Sequence, residues 1–116
     1  MNELDAAWRL CLHPNFKWQD GMSDRSGARV STPWEASNPP DLDDWATAGL
    51  IFGQLATTGR FTDVVRLDGY WVVAIRTRGP DVRGLAGDSF GEAAAWALLA
   101  VWGDPMTLPP STVPMA

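Results

Sequence analysis

Three arginines, Arg76, Arg78 and Arg83, precede a serine at position 89 that opens an apolar run. Ser89 and Glu92 have the S-x-x-E spacing of a capping box, so a helix is expected to begin there with free backbone N–H groups at its end. Guanidinium groups beside a helix N-terminus suit a phosphate, because the fork of donors and the positive helix end both favour an oxyanion. Trp18, Tyr70 and Trp71 add flat faces on which a base can stack. These seven residues form the candidate ligand site. Asp81 and Asp88 lie in the same stretch and offset part of its positive potential.

No catalytic motif accompanies them. The sequence has no P-loop, no G-x-S-x-G, no H-E-x-x-H and no Cys/His pair at zinc spacing. Gly84-Leu85-Ala86-Gly87 lacks both the spacing and the following lysine of a phosphate loop. Asp41, Asp43 and Asp44 are explained by helix capping more simply than by a divalent cation, which usually needs several convergent oxygens. His13, the only histidine, precedes Pro14 at a helix end, where a capping or surface role suits it. The expectation is a binding protein and not an enzyme, with no cofactor and no metal.

Charge narrows the ligand class. Nine Lys+Arg against 14 Asp+Glu give a net charge of -5 and a pI near 4.6. That argues against duplex nucleic acid, whose binding needs a basic surface. Of the nine basic residues only Lys17 is lysine. A GC-rich coding sequence explains that bias, and selection for bidentate anion recognition is the sharper alternative. Cys11 has no partner for an intrachain disulfide, and no signal peptide is evident, so a cytosolic location is expected. The apolar run 93–102 is shorter than the roughly 20 residues that span a bilayer, so no membrane partner is expected.

The elements that must position these side chains centre on 61–77. Asp68-Gly69 separates two β-branched and aromatic runs, the signature of a hairpin with a two-residue turn. That turn pairs Leu67 with Tyr70, Val65 with Val72, Asp63 with Ala74 and Phe61 with Arg76. Thr62, Val64, Arg66, Trp71, Val73 and Ile75 fall on the other side of the ribbon. Both sides are largely apolar, so both need cover.

Helices are expected over 2–12, 41–58 and 89–102. In the first, Asn2 caps and Leu4, Trp8, Cys11 and Leu12 form the apolar stripe, with Ala7 beside it. In the second, Asp41 caps, Leu42, Trp45, Gly49, Phe52 and Ala56 share a face widened by Ala48 and Leu55, and Gly59 terminates. The third is apolar almost all round, so it should be buried on more than one side or bind a partner. Short strands are expected over 16–22 and 28–31, with loops over 32–41, where Trp34 packs onto the core, and over 78–87. The fold class is therefore α+β, an α/β/α sandwich: a small antiparallel sheet around a central hairpin with helices on both faces. At 116 residues and 46% hydrophobic content, with a mean hydropathy of -0.12, the chain suits one domain over 1–103 and a proline-rich, extended or disordered tail over 104–116.

In chain order the sequence carries Asn2-Glu3-Leu4-Asp5-Ala6, then His13-Pro14-Asn15-Phe16-Lys17-Trp18 leading to Gly21-Met22, then Pro40-Asp41-Leu42-Asp43-Asp44 with Ala46-Thr47. Gly69-Tyr70-Trp71-Val72-Val73 and Gly87-Asp88-Ser89-Phe90-Gly91-Glu92-Ala93 complete the set. This succession, over residues 2–103, resembles the small bacteriophage proteins described as the phage ABA sandwich. The loop at 32–40 and the tail depart from it. The resemblance implies a phage accessory protein, possessing no catalytic motif to carry over, of a kind that includes anti-defence factors. Such factors sequester a nucleotide immune signal or block a host defence protein.

The leading expectation is thus a sponge for a small nucleotide-like ligand. An acidic, Trp-rich domain that inhibits a host defence protein is the alternative, since seven tryptophans can serve as interface anchors. A self-associating structural phage protein is the third, and a homo-oligomer is compatible with either binding role.

Overall fold

The computed structural model describes residues 2–76 and 81–103, and the backbone of 112–115. The fold is α+β. Its elements run α1 (Glu3–Leu12), α2 (Trp45–Thr57), β1 (Phe61–Leu67), β2 (Tyr70–Arg76), β3 (Val82–Gly87), α3 (Phe90–Val101) and β4 (Thr112–Met115). The strands form an antiparallel meander in the order β1-β2-β3-β4.

β1 and β2 pair Leu67 with Tyr70, Val65 with Val72 and Asp63 with Ala74, turning at a Gly69 with φ +80°. An irregularity between Phe61 and Asp63 sets Phe61 opposite Ile75, and not opposite Arg76 as a strict two-residue period requires. The extra residue turns the Phe61 ring toward α2, where it meets Phe52 edge-on at 4.7 Å.

β3 lies where a glycine-rich loop was expected. Val73 sits opposite Leu85, and Trp71 opposite Gly87. Gly84, Ala86 and Gly87 give this strand none of the bulk by which strands announce themselves, yet small residues are what its neighbours need. A Cβ on Gly87 would lie 2.5 Å from the Ala93 backbone nitrogen, so only glycine lets β3 come this close to α3. Thr112–Met115, within the expected tail, pairs with β3 as an edge strand.

α3 is the centre of the molecule. Ala93 through Leu99 are each at most 1% exposed, which accounts for its all-round apolarity. It packs on β2 and β3 on one side and on α1 and α2 on others. Val73, Ile75 and Leu85 share its cluster, with Phe61, Val64 and Trp71 packed against it. The pairing register places all six on the same face of the sheet. Helices were expected on both faces; among the described residues, their cluster engages this one. The opposite face carries Val65, Leu67, Tyr70, Val72 and Ala74, with Leu67 and Tyr70 exposed.

The other helices bury only part of the faces expected: Ala7, Ala48 and Leu55 are buried, and the bulkiest residues of those faces are not. In α1 the buried residues are Ala6, Ala7 and Leu10, while Leu4, Trp8 and Leu12 face outward. Its start is a capping box in which the Asn2 side chain accepts from the Asp5 N–H and the Asp5 carboxylate accepts from the Asn2 N–H. His13 caps its C-terminus and stacks on Trp102 at 4.5 Å.

α2 is capped by Asp44, not Asp41, and buries Thr47, Ala48, Ile51 and Leu55. Asp41 is engaged one turn earlier: its N–H donates to the Ser23 carbonyl, and its carboxylate accepts from the Asp43 N–H. The segment 16–22 is not a strand. Gln54 of α2 donates to the Lys17 carbonyl at 2.9 Å, and the Gln19–Met22 turn diverts the chain, leaving isolated bridges from Ser23 to Arg29 and from Asp24 to Pro40. Trp34 packs against the core beside Trp18.

Candidate functional site

The first turns of α2 and α3 begin side by side, and the start of β2 passes beneath them. Between them lies a half-open hollow of about 200 Å³. Leu42, Asp43, Trp45 and Ala48 form one wall; Trp71 forms the floor; Asp88, Ser89, Phe90 and Gly91 form the other wall. Close approach is possible because Gly91 has no side chain: a Cβ there would stand 2.0 Å from the Leu42 carbonyl oxygen.

Three aromatic rings pack into one surface. Phe90 lies 5.5 Å from Trp71 and 6.1 Å from Trp45, and Trp45 meets Trp71 edge-on at 6.2 Å. Trp45 is 68% exposed although its helix position suggested burial. The Arg66 guanidinium lies 5.6 Å from the centre of the Trp71 ring, a cation–π contact.

Carboxylates surround this surface. Asp43 and Asp88 line the hollow. Ser89 caps α3 by accepting the Glu92 N–H at 3.1 Å, and its hydroxyl donates to Glu3 of α1, also at 3.1 Å. Burial pushes the Glu3 carboxyl up to about 7; the hydrogen bond that its protonated form donates to the Asp43 carboxylate, and the charge of Asp43, add to the effect, while Ser89 opposes it. Glu92 is buried, accepting the Asp88 N–H and the Trp96 indole N–H, each at 3.1 Å. Where the capping-box pattern has the glutamate return to the cap residue's own N–H, Glu92 reaches one residue further back.

The seven residues nominated from sequence do not assemble. Trp71 and Ser89 meet in the hollow. Tyr70 precedes Trp71 on the strand and therefore lies on the opposite face of the sheet. Arg83 sits opposite Ile75, four residues along β3 from Gly87, or about 13 Å of strand. Arg76 ends β2 at that same far side, its backbone paired with Arg60. Trp18 belongs to another aromatic group, with Phe16 and Trp34. Arg78 lies outside the described residues.

Sequence reasoning missed Glu3, Asp43, Trp45 and Phe90 as a group. Positions 3, 43 and 88 are far apart along the chain, and each carboxylate has a sufficient local explanation as a helix-end residue. The one signal available was the offset of the arginines by Asp88. Among the described residues, no three His, Cys, Asp or Glu side chains are grouped as metal ligands would be, and no helix is long and apolar enough to cross a membrane.

No protein-family model matches the chain, and no curated protein or solved structure matches it either.

Proposed function

We propose that this chain is a non-enzymatic binding protein whose ligand is another protein, engaged through a basic surface. The observation that carries this reading is Trp45, 68% exposed at the rim of a hollow lined by Asp43 and Asp88. Tryptophan is the residue most enriched at binding hot spots, where it fills a pocket and is ringed by polar groups. A chain with a net charge of -5 steers basic partners toward such an anchor and repels acidic ones.

The same geometry disfavours a nucleotide. Phosphates directed at the start of α3 would meet Asp88, Asp43 and Glu3, with Arg83 at the other end of its strand. The similarity to phage ABA-sandwich proteins adds a context, in which the partner is a host defence protein and its inhibition is the purpose.

Affinity capture from host lysate tests this. One protein should be retained stoichiometrically at low salt, and lost with Trp45→Ala or when salt shortens the reach of the carboxylates. Saturable calorimetric binding of a cyclic nucleotide or an ADP-ribose derivative, weakened by Arg83→Ala, would overturn the reading in favour of a sponge.

A further inference from the structure

We infer that the hollow between α2 and α3 is a site for an organic monocation, the alkylammonium or guanidinium headgroup carried by a lysine or arginine side chain. This rests on the protein-binding reading above and specifies what enters the pocket.

Size comes first. About 200 Å³ is less than the 300 Å³ or more typical of sites for drug-sized ligands, yet it is ample for a headgroup on an alkyl stem. The wall is the second argument. Trp71 lines the hollow and holds the guanidinium of Arg66 over its ring at 5.6 Å, so this indole is a cation–π partner with one contact already made. Trp45 offers a second, largely uncovered indole beside it.

Charge is the third. Asp43 and Asp88 line the cavity, and Glu3 stands behind Ser89. Glu3 holds its proton up to a pH of about 7, chiefly through burial and then through Asp43, with the Glu92 charge contributing. The lesser part of that shift, from the charges of Asp43 and Glu92, is a negative potential that an entering headgroup also meets. The positive ends of α2 and α3 also point here, which taken alone would favour an anion. Their donors are partly engaged already: Asp44 takes the Thr47 N–H, Ser89 the Glu92 N–H and Glu92 the Asp88 N–H.

Binding is therefore linked to proton release. When the headgroup enters, Glu3 gives its proton to solvent and becomes a counter-ion, so affinity rises as pH increases through 7. Asp43, Asp88 and Glu92 are the other titratable groups at this point, and Arg66 of β1 adds a fixed positive charge over Trp71.

n-Butylammonium chloride, titrated into the full chain and followed by the tryptophan indole N–H resonances, tests the inference, with sodium chloride at equal ionic strength as control. The Trp45 and Trp71 resonances should shift saturably, with affinity at least threefold higher at pH 8 than at pH 5.5. Asp43→Asn should weaken binding about tenfold, a typical scale for losing a charged partner. Trp45→Ala, which removes an exposed side chain and keeps the fold, should weaken it by a similar factor. Shifts reproduced by sodium chloride, or unchanged in both variants, would overturn the site. If n-butylammonium binds while no protein is captured, the site stands and the protein-partner reading falls; a captured partner without any n-butylammonium response does the reverse.

Discussion

Replacing Gly91 by alanine and Gly53 by alanine makes the same chemical change in two helices, and the structure demands opposite signs. At Gly91 an added Cβ would lie 2.0 Å from the Leu42 carbonyl oxygen, 2.9 Å from its carbon and 3.0 Å from its Cα. A comfortable carbon–oxygen contact is about 3.3 Å or more, so α3 and the segment before α2 must part by more than about 1 Å. Leu42 cannot easily yield: it is 1% exposed, and its neighbour Asp41 donates to the Ser23 carbonyl at 2.9 Å. The obstacle is backbone on both sides, so no rotamer change relieves it. The cost should be about 3 kcal/mol, the upper part of the range for overpacking. Gly53, in the exposed interior of α2, has nothing within 4 Å of its would-be Cβ. Alanine there should stabilise by about 0.5–1 kcal/mol, because it restricts the unfolded chain and favours helix. Urea melts followed by far-UV circular dichroism would measure both, with unchanged m-values showing that stability alone has moved. If Gly91→Ala melts within about 0.5 kcal/mol of the parent, the contact between α3 and residue 42 is not as described, and the hollow loses its geometry.

Two further outcomes are expected. Glu3→Gln should remove a pH dependence: since the folded-state carboxyl holds its proton up to about 7 and the unfolded one releases it near 4.5, the parent loses stability as pH rises through that window. Screening at this half-exposed group limits the effect to about 1 kcal/mol, so urea melts should show the variant gaining that much on the parent between pH 4.5 and 8, and parallel curves would refute it. Asp20 and Asp44, held below the usual carboxylate range by hydrogen bonds from Thr32 and Thr47, act below about pH 4 and leave the window clear. Thr47→Val should cost about 2 kcal/mol, because the fully buried Thr47 hydroxyl accepts the Ser23 N–H at 2.7 Å and valine leaves that donor unsatisfied. Thr47→Ser, which keeps the bond and gives up only the methyl group, should lose less in the same melts; a valine variant as stable as the parent would refute the role of the hydroxyl.

What was legible in the sequence was whatever is settled within a few residues. A two-residue turn ties Leu67 to Tyr70, and short-range caps at Asn2 and Ser89 fix where α1 and α3 begin. The α2 cap failed for an instructive reason. Asp41, Asp43 and Asp44 are equally good caps in isolation, and the choice is made from a distance, by Ser23 taking the Asp41 N–H and leaving Asp44 to open the helix. β3 failed because its small residues answer to α3, not to their own strand.

The buried sides of α1 and α2 show where sequence-level hydrophobic patterning ends. Bulk marked Leu4, Trp8 and Leu12 for the core of α1, and these residues are 42%, 40% and 75% exposed. Ala6 and Leu10 are buried instead, along with Ala7 at the edge of the expected stripe, in the same cluster as the alanines of α3. A helix that packs many ways at once, as α3 does, has to be lined by small residues so that its neighbours can approach; those neighbours then present their own small faces to it. The large apolar side chains of α1, and Trp45 of α2, are left pointing outward by that constraint. The hollow follows from the same cause. Gly87 and Gly91 draw β3 and the start of α2 against α3, and the carboxylates that cap or flank those helix ends are brought together with Glu3. The acidic character of the site is thus a by-product of close packing at α3, which is why no local stretch of the sequence announces it.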